Sequence, residues 1–190
     1  MRHVFAPVAL AVTLAGCGIN SVPAAEENAK ARWADVQAAY QRRADLIPNL
    51  VATAKGAAQF EERTLTEVTQ ARARANSVQL SANDLSDPNK VQQFAAAQSA
   101  LSLAIRPLQE AYPQLQSQGN FKTLMDQLEG TENRINIAVR DYNQAVQEYN
   151  TRIRTFPDAI GAKIVHGAKP LTPFQAVTPG AERAPTVNFG

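Results

Sequence analysis

Apolar residues recur every three or four positions through most of this 190-residue chain, which is the spacing of one face of an α-helix. The first stripe runs through Ala29, Trp33, Val36, Tyr40, Ala44, Ile47, Val51, Ala54 and Ala58. It keeps its phase across Pro48, although proline inside a helix removes one amide donor and clashes with the carbonyl four residues back. The stripe therefore predicts one long helix kinked at Pro48, with a break and a second helix capped by Asp45 as the alternative. Leu65, Val68, Ala71, Ala75 and Val78 predict a helix over about 61–80, flanked by Arg72 and Arg74 as solvated cations. A Ser-, Asn- and Asp-rich turn follows, and Asp87-Pro88 suits a helix start. That third helix carries Val91, Phe94, Ala95, Gln98, Leu101, Ile105 and Leu108, bends near Pro107 and ends by Ala111. With Asn120 as its cap, a fourth stripe runs from Phe121 through Leu128, Thr131, Ile135, Tyr142, Val146 and Tyr149 to Phe156. About 36 helical residues span roughly 54 Å, which only partners of similar length can cover.

The pattern predicts an all-α fold, an elongated antiparallel up-down bundle of about four helices over 28–156. Pro170, Pro173, Pro179 and Pro185 preclude another long helix beyond it. Residues 157–190 read as a Pro-rich tail, either disordered or extended along the bundle.

The N-terminus reads differently. Arg2 precedes an uncharged apolar run, Val4 to Leu14, which is well short of the roughly 20 residues that span a bilayer. Leu14-Ala15-Gly16-Cys17 then resembles a bacterial lipobox. The expectation is a signal peptide over 1–16, lipidation of Cys17, and a linker over 17–27 containing Pro23. An ordinary secretory signal with a chance cysteine, or an uncleaved anchor, is the alternative. Gly18, in place of the Asp that marks inner-membrane retention, leans toward the outer membrane of a two-membrane envelope.

Composition supports the helical reading and narrows the chemistry. The sequence holds 34 Ala and 16 Gln against 9 Gly. With 19 basic and 17 acidic residues the net charge is only +2, which gives no reason to expect nucleic acid as a partner. One Cys excludes an intrachain disulfide framework and a cysteine-based zinc site, and two His exclude most metalloenzyme layouts. No activated nucleophile and no phosphate-cradling glycine pattern stands out, so no catalytic residue, metal, cofactor or small-molecule substrate is expected.

Two dense polar clusters remain, Arg42, Arg43, Asp45 and Asn49 on the first helix and Glu132, Asn133 and Arg134 on the fourth. They read either as a buried network in which Arg43 or Arg134 grips Asp45 or Glu132, or as a recognition surface, or as a carboxylate pair for acid–base work. Tyr142-Asn143 and Tyr149-Asn150, seven residues apart, place both rings on the seam. Pro170-Leu171-Thr172-Pro173 fits a short polyproline ligand pattern.

Several strings in these helices carry a family resemblance: Arg42-Arg43-Ala44-Asp45-Leu46-Ile47-Pro48-Asn49-Leu50-Val51, Val68-Thr69-Gln70-Ala71-Arg72, Glu110-Ala111-Tyr112-Pro113-Gln114-Leu115 and Gln127-Leu128-Glu129-Gly130-Thr131-Glu132-Asn133-Arg134-Ile135. With Tyr149-Asn150, Phe156-Pro157 and the Ala184-to-Phe189 ending, the chain resembles the LemA family of bacterial membrane-associated proteins. The resemblance implies an antiparallel bundle tethered by its N-terminus and no defined reaction. Many members carry an uncleaved membrane helix where this chain has its lipobox. The expected function is a non-catalytic envelope lipoprotein, held to the membrane by a lipid anchor, that binds or scaffolds another envelope protein. A carboxylate-dependent hydrolase and a lipid-surface remodelling module are the alternatives.

Overall fold

The computed structural model describes residues 5–56, 62–110 and 119–175, with side chains from 20 onward and not for 109–110. Five helices follow in order: α1 Phe5–Gly56, α2 Glu62–Ser77, α3 Pro88–Glu110, α4 Gly119–Arg152 and α5 Asp158–Ile164. A 3₁₀ turn, Ala82–Ser86, joins α2 to α3. Among the described residues there is no strand. The first four helices run up, down, up and down, with α4 packed along α1 and α3 along α2.

α1 is continuous through Pro23 and Pro48, as the unbroken phase of the stripe requires, and Asp45 starts no second helix. The expected linker is part of this helix: Val22 and Ala25 are buried, so the apolar stripe begins a turn or more earlier than Ala29. α4 starts at Gly119 and ends at Arg152, short of Phe156, which is exposed rather than on the seam. Ala58 and Tyr112-Pro113 lie outside the described residues.

The core divides into two. One half holds Trp33, Val36, Tyr40, Leu80, Leu85, Val91, Phe94, Ile135, Tyr142, Val146 and Tyr149. The other holds Ile47, Leu50, Ala54, Leu65, Val68, Leu101, Ile105, Leu108, Phe121 and Leu128. Each of α1, α3 and α4 passes from one half into the other, and the changeover falls between Tyr40 and Ile47, between Ala95 and Leu101, and between Leu128 and Ile135.

The first half is organised by aromatic rings. Trp33 is fully buried, with its ring centroid 5.4 Å from Phe94 and 5.3 Å from Tyr142. Its indole Nε1 donates to the Leu80 carbonyl at 3.1 Å, and Gln37 Nε2 donates to the same oxygen at 2.9 Å. These bonds tie the end of α2's chain to α1. Burial pushes the phenols of Tyr142 and Tyr149 above their ordinary pKa.

The segment after α4 belongs to this core up to the last described residue. Ala162 of α5, then Leu171 and Phe174, are buried in it. Phe174 lies 6.2 Å from Trp33, 6.0 Å from Tyr40 and 6.1 Å from Phe94, centroid to centroid. Two asparagines on α4 hold the backbone there. Asn150 donates to the Leu171 carbonyl at 2.8 Å and accepts from the Leu171 amide at 2.9 Å. Asn143 does the same for Phe174, at 2.8 and 2.7 Å. Seven helical residues rise about 10 Å, and three extended residues cover about the same length, so the two amides meet the two backbone sites in register. Tyr142 Oη donates to the Thr172 carbonyl at 2.9 Å, and the Thr172 amide donates to Leu85 O at 2.8 Å. Within the Pro170–Pro173 motif Leu171 is thus buried and the backbone of Leu171 and Thr172 is bound, while both prolines stay exposed. Residues 176–190, with Pro179, Pro185 and the Ala184–Phe189 ending, lie outside the described residues.

Asn143→Ala and Asn150→Ala each strand a backbone donor and acceptor, at a cost of about 1–2 kcal/mol. The double variant is expected to keep the four-helix bundle but release 165–175 to limited proteolysis. Denaturant midpoints and mass mapping of the cuts check this; a protected tail in the double variant contradicts it.

A candidate functional site at the polar layer

Where the two core halves meet, the structure places polar side chains. Arg43 on α1, Gln98 on α3 and Thr131 on α4 are the buried polar residues among those described, and all three fall at the changeover. Each occupies or adjoins an apolar-stripe position, so helical geometry turns it inward.

Arg43 is the centre of the layer. Its Nη1 donates to Ser102 Oγ at 2.6 Å and to Glu132 Oε2 at 3.2 Å. Its Nη2 donates to the Gln98 carbonyl at 3.0 Å and to Gln98 Oε1 at 2.8 Å. Gln98 Nε2 in turn reaches the Ala75 carbonyl on α2 at 3.5 Å. One guanidinium and one amide therefore join all four long helices. The guanidinium also lies 5.0 Å from the centre of the Tyr40 ring, a cation–π contact. Burial pushes the Tyr40 phenol up to about 12, against the opposing pull of Arg43. Arg43 Nε is buried without a hydrogen-bond partner.

The ion pair is asymmetric. The Arg43 side chain is 3% exposed and that of Glu132 is 47% exposed, so the cation is desolvated while the carboxylate sits at the surface. The grip expected of Arg43 or Arg134 on Asp45 or Glu132 is met by the Arg43–Glu132 pair alone. Asp45 is exposed and accepts a bond from Gln41 at 2.8 Å; Arg42, Asn49, Asn133 and Arg134 are exposed as well. The reason is rotational. Residues two apart on a helix lie about 200° apart, so Arg43 and Asp45 cannot both face the core, nor can Glu132 and Arg134.

Arg72, read from the sequence as a solvated cation, has a structural task. Pro48 deprives the Ala44 carbonyl of its helical donor, and Arg72 Nε on α2 donates to that oxygen at 2.7 Å. The irregularity in α1 is thereby filled by α2 rather than left open to a partner at Asp45 and Asn49. Sequence reasoning identified the orphaned carbonyl but not the residue that serves it. It also passed over Ser102, and it placed Gln98 and Thr131 in apolar stripes. A polar residue at a stripe position in three helices, each at the same height, was the available signal.

A cavity of about 600 Å³ opens beside this layer between α3 and α4. Arg43, Arg106 and Lys122 meet Asp126, Glu129 and Glu132 around it, over an apolar patch that includes Ile105 and Met125. Lys122 pairs with Asp126 at 2.8 Å, so part of this charge is already matched within α4. Ser102 is the hydroxyl nearest the centre. Its Oγ accepts from Arg43 and donates to the Gln98 carbonyl at 3.3 Å, so neither contact is a base able to take its proton. Among the described residues no cluster of three or more His, Cys, Asp or Glu side chains is placed to hold a metal ion.

Removing the Arg43 head group leaves Gln98 Oε1 without its donor in the core and takes away the cation that pairs with Glu132. Arg43→Ala is expected to cost about 3–5 kcal/mol. Glu132→Ala leaves the desolvated Arg43 cation without its carboxylate and costs about 1–3 kcal/mol, and Asp45→Ala and Arg134→Ala stay within about 0.5 kcal/mol of the parent. Equal losses in all four, read by urea denaturation, would contradict this placement.

Comparison with known proteins agrees with the fold and the strings that carry it. A sequence model of the LemA family matches residues 32–189. Protein LemA of Metamycoplasma hominis is 25% identical over 122 residues, covering 64% of this chain and 52% of that protein, so this chain spans about half the length of that relative. The match takes in the Arg43 layer, the Pro48–Arg72 junction and the asparagines that hold the tail, and on that extent the chain belongs to the LemA family.

Proposed function

We propose that this protein is an envelope lipoprotein, anchored through Cys17, whose bundle serves as a non-catalytic binding or scaffold module for another envelope protein. The observation that carries the reading is the continuity of α1. The helix runs from Phe5 past position 17 and into the core at Val22, so a lipid at Cys17 would hold the whole bundle at a fixed distance from the membrane. The side chain of Cys17 itself lies outside the described ones. No described helix is long and apolar enough to cross a membrane, which leaves the anchoring to chemistry at the N-terminus in this reading. Gly18 favours the outer membrane where two membranes exist.

The binding half of the proposal draws on the cavity beside Arg43. Its mixed charges and apolar strip suit a protein surface of alternating sign better than a small apolar ligand. The groove that holds Leu171 and Phe174 by their backbone is an instance within the chain of the bundle gripping an extended segment.

Metabolic labelling with a fatty acid is expected to mark the parent protein in the membrane fraction. Cys17→Ala is expected to carry no label and to remain as unprocessed precursor or leave the membrane. Equal label in the two overturns the anchor. In intact cells, a photocrosslinker at Glu129, on the cavity wall, is expected to yield a discrete adduct with one envelope protein that Arg106→Glu removes; an adduct insensitive to that change places the partner elsewhere.

A further inference from the structure

Among the described residues, four of the six exposed large apolar side chains fall within ten positions of one another: Phe156 at 77%, Ile160 at 55%, Ile164 at 78% and Val165 at 59% exposure. Ile160 and Ile164 are four apart and share a face of α5. The opposite side of α5 packs on α1, where Ala162 joins Val22 and Ala25 in the core. The outward face is covered by nothing in the chain's described part.

The position of this face relative to the N-terminus is fixed by a hydrogen bond. Ser21 Oγ on α1 donates to Asp158 Oδ2 at the start of α5, 2.8 Å away. Ser21 is four residues from Cys17, about 6 Å along a helix and no more than about 14 Å by any path. A lipid on Cys17 therefore brings the bilayer surface to the level of α5.

Charge points to the same contact. Over residues 152–169 Arg152, Arg154, Lys163 and Lys169 stand against one carboxylate, Asp158, a local excess of positive charge. Asp158 is itself 3.9 Å from Arg152. On the facing part of α1, Glu26 and Glu27 both pair with Lys30, at 2.9 and 2.8 Å. Arg152 is also matched by Glu148 at 2.9 Å, which leaves Arg154, Lys163 and Lys169 as the positive excess of the segment. An apolar face within a segment of net positive charge suits the interface of an anionic bilayer.

We infer that the Phe156–Val165 face of α5 is a lipid-contacting foot, which seats on the anionic bilayer surface next to the anchor and sets the tilt of the bundle. The inference rests on the proposed anchoring at Cys17. With lipid chains supplying the attachment, the foot contributes orientation more than affinity, and the bundle's cavity side is then presented at a defined angle.

Trp33 is the chain's one tryptophan and is buried, so an added indole reports its own surroundings. Full-length lipidated protein is reconstituted in phosphatidylethanolamine–phosphatidylglycerol vesicles whose acyl chains are brominated. Ile164→Trp and Ile160→Trp, at exposed positions that tolerate the larger ring, are expected to lose about half or more of the added emission. Ile137→Trp, 42% exposed on α4 and remote from α5, is the control and keeps its emission. Protein that sediments with the vesicles while both α5 indoles stay unquenched overturns the foot and leaves the anchor standing. Protein that stays in the supernatant overturns the anchor, and the foot with it.

Discussion

A buried guanidinium sets the terms of this fold. Arg43 is desolvated at the height where two apolar cores meet, and it stays there because Ser102, Glu132 and both oxygens of Gln98 receive its donors. Ala-rich stripes are permissive, since one Ala or Leu replaces another after a one-turn slide with little loss. A guanidinium that must find a glutamine on one helix and a carboxylate on another permits no such slide. The polar layer thereby gives α1, α3 and α4 a single register, the role in which buried polar groups are best attested. The layer's second member extends the constraint to α2 through the Ala75 carbonyl.

The same logic recurs wherever the apolar pattern is interrupted. Pro48 opens a carbonyl in α1 and Arg72 closes it. Three residues past the end of α2, two side chains of α1 hold the Leu80 carbonyl. After α5 the chain loses helical bonding, and Asn143 and Asn150 supply the missing partners to Leu171 and Phe174. Polar residues in this protein mostly specify where an apolar surface must sit. That division explains how a core with few aromatic residues becomes a defined bundle: Trp33, Tyr40, Phe94, Tyr142 and Phe174 are gathered at one end, and the polar layer caps them.

The helices were legible in the sequence because helical period is a local property. The stripes through Trp33, Leu65, Phe94 and Ile135 all became buried faces. The inclusion of 20–27 in α1 was not legible, because Pro23 and the polar residues around it mask an apolar stripe of only Val22 and Ala25. For the tail, an extended course along the bundle was one of the two readings, and its described part up to 175 takes it. Prolines do preclude a long helix, but they say nothing about short α5, nor about side chains 20 and more residues away that accept an extended backbone. Of the clustered polar residues, Arg43 with Glu132 was one of the pairings that the sequence left open; the i,i+2 geometry that sends Asp45 and Arg134 outward was available to choose among them. Arg72, Gln98 and Ser102 became visible only when four helices were set side by side, since their bonds join residues tens of positions apart. For function, the fold offers a charged cavity beside the Arg43 layer and an exposed apolar face on α5, the two surfaces on which the proposed membrane role draws.

The coupling between Arg43 and Gln98 tests the role of the polar layer most directly. A double-mutant cycle with Arg43→Met and Gln98→Leu, read by urea denaturation, isolates it from the cost of either change alone. A register-setting layer predicts a coupling of about 1–3 kcal/mol, with the double variant more stable than the sum of the single losses allows. A coupling below about 0.5 kcal/mol would mean that the two side chains act independently, and would contradict a buried layer that holds the helices in register.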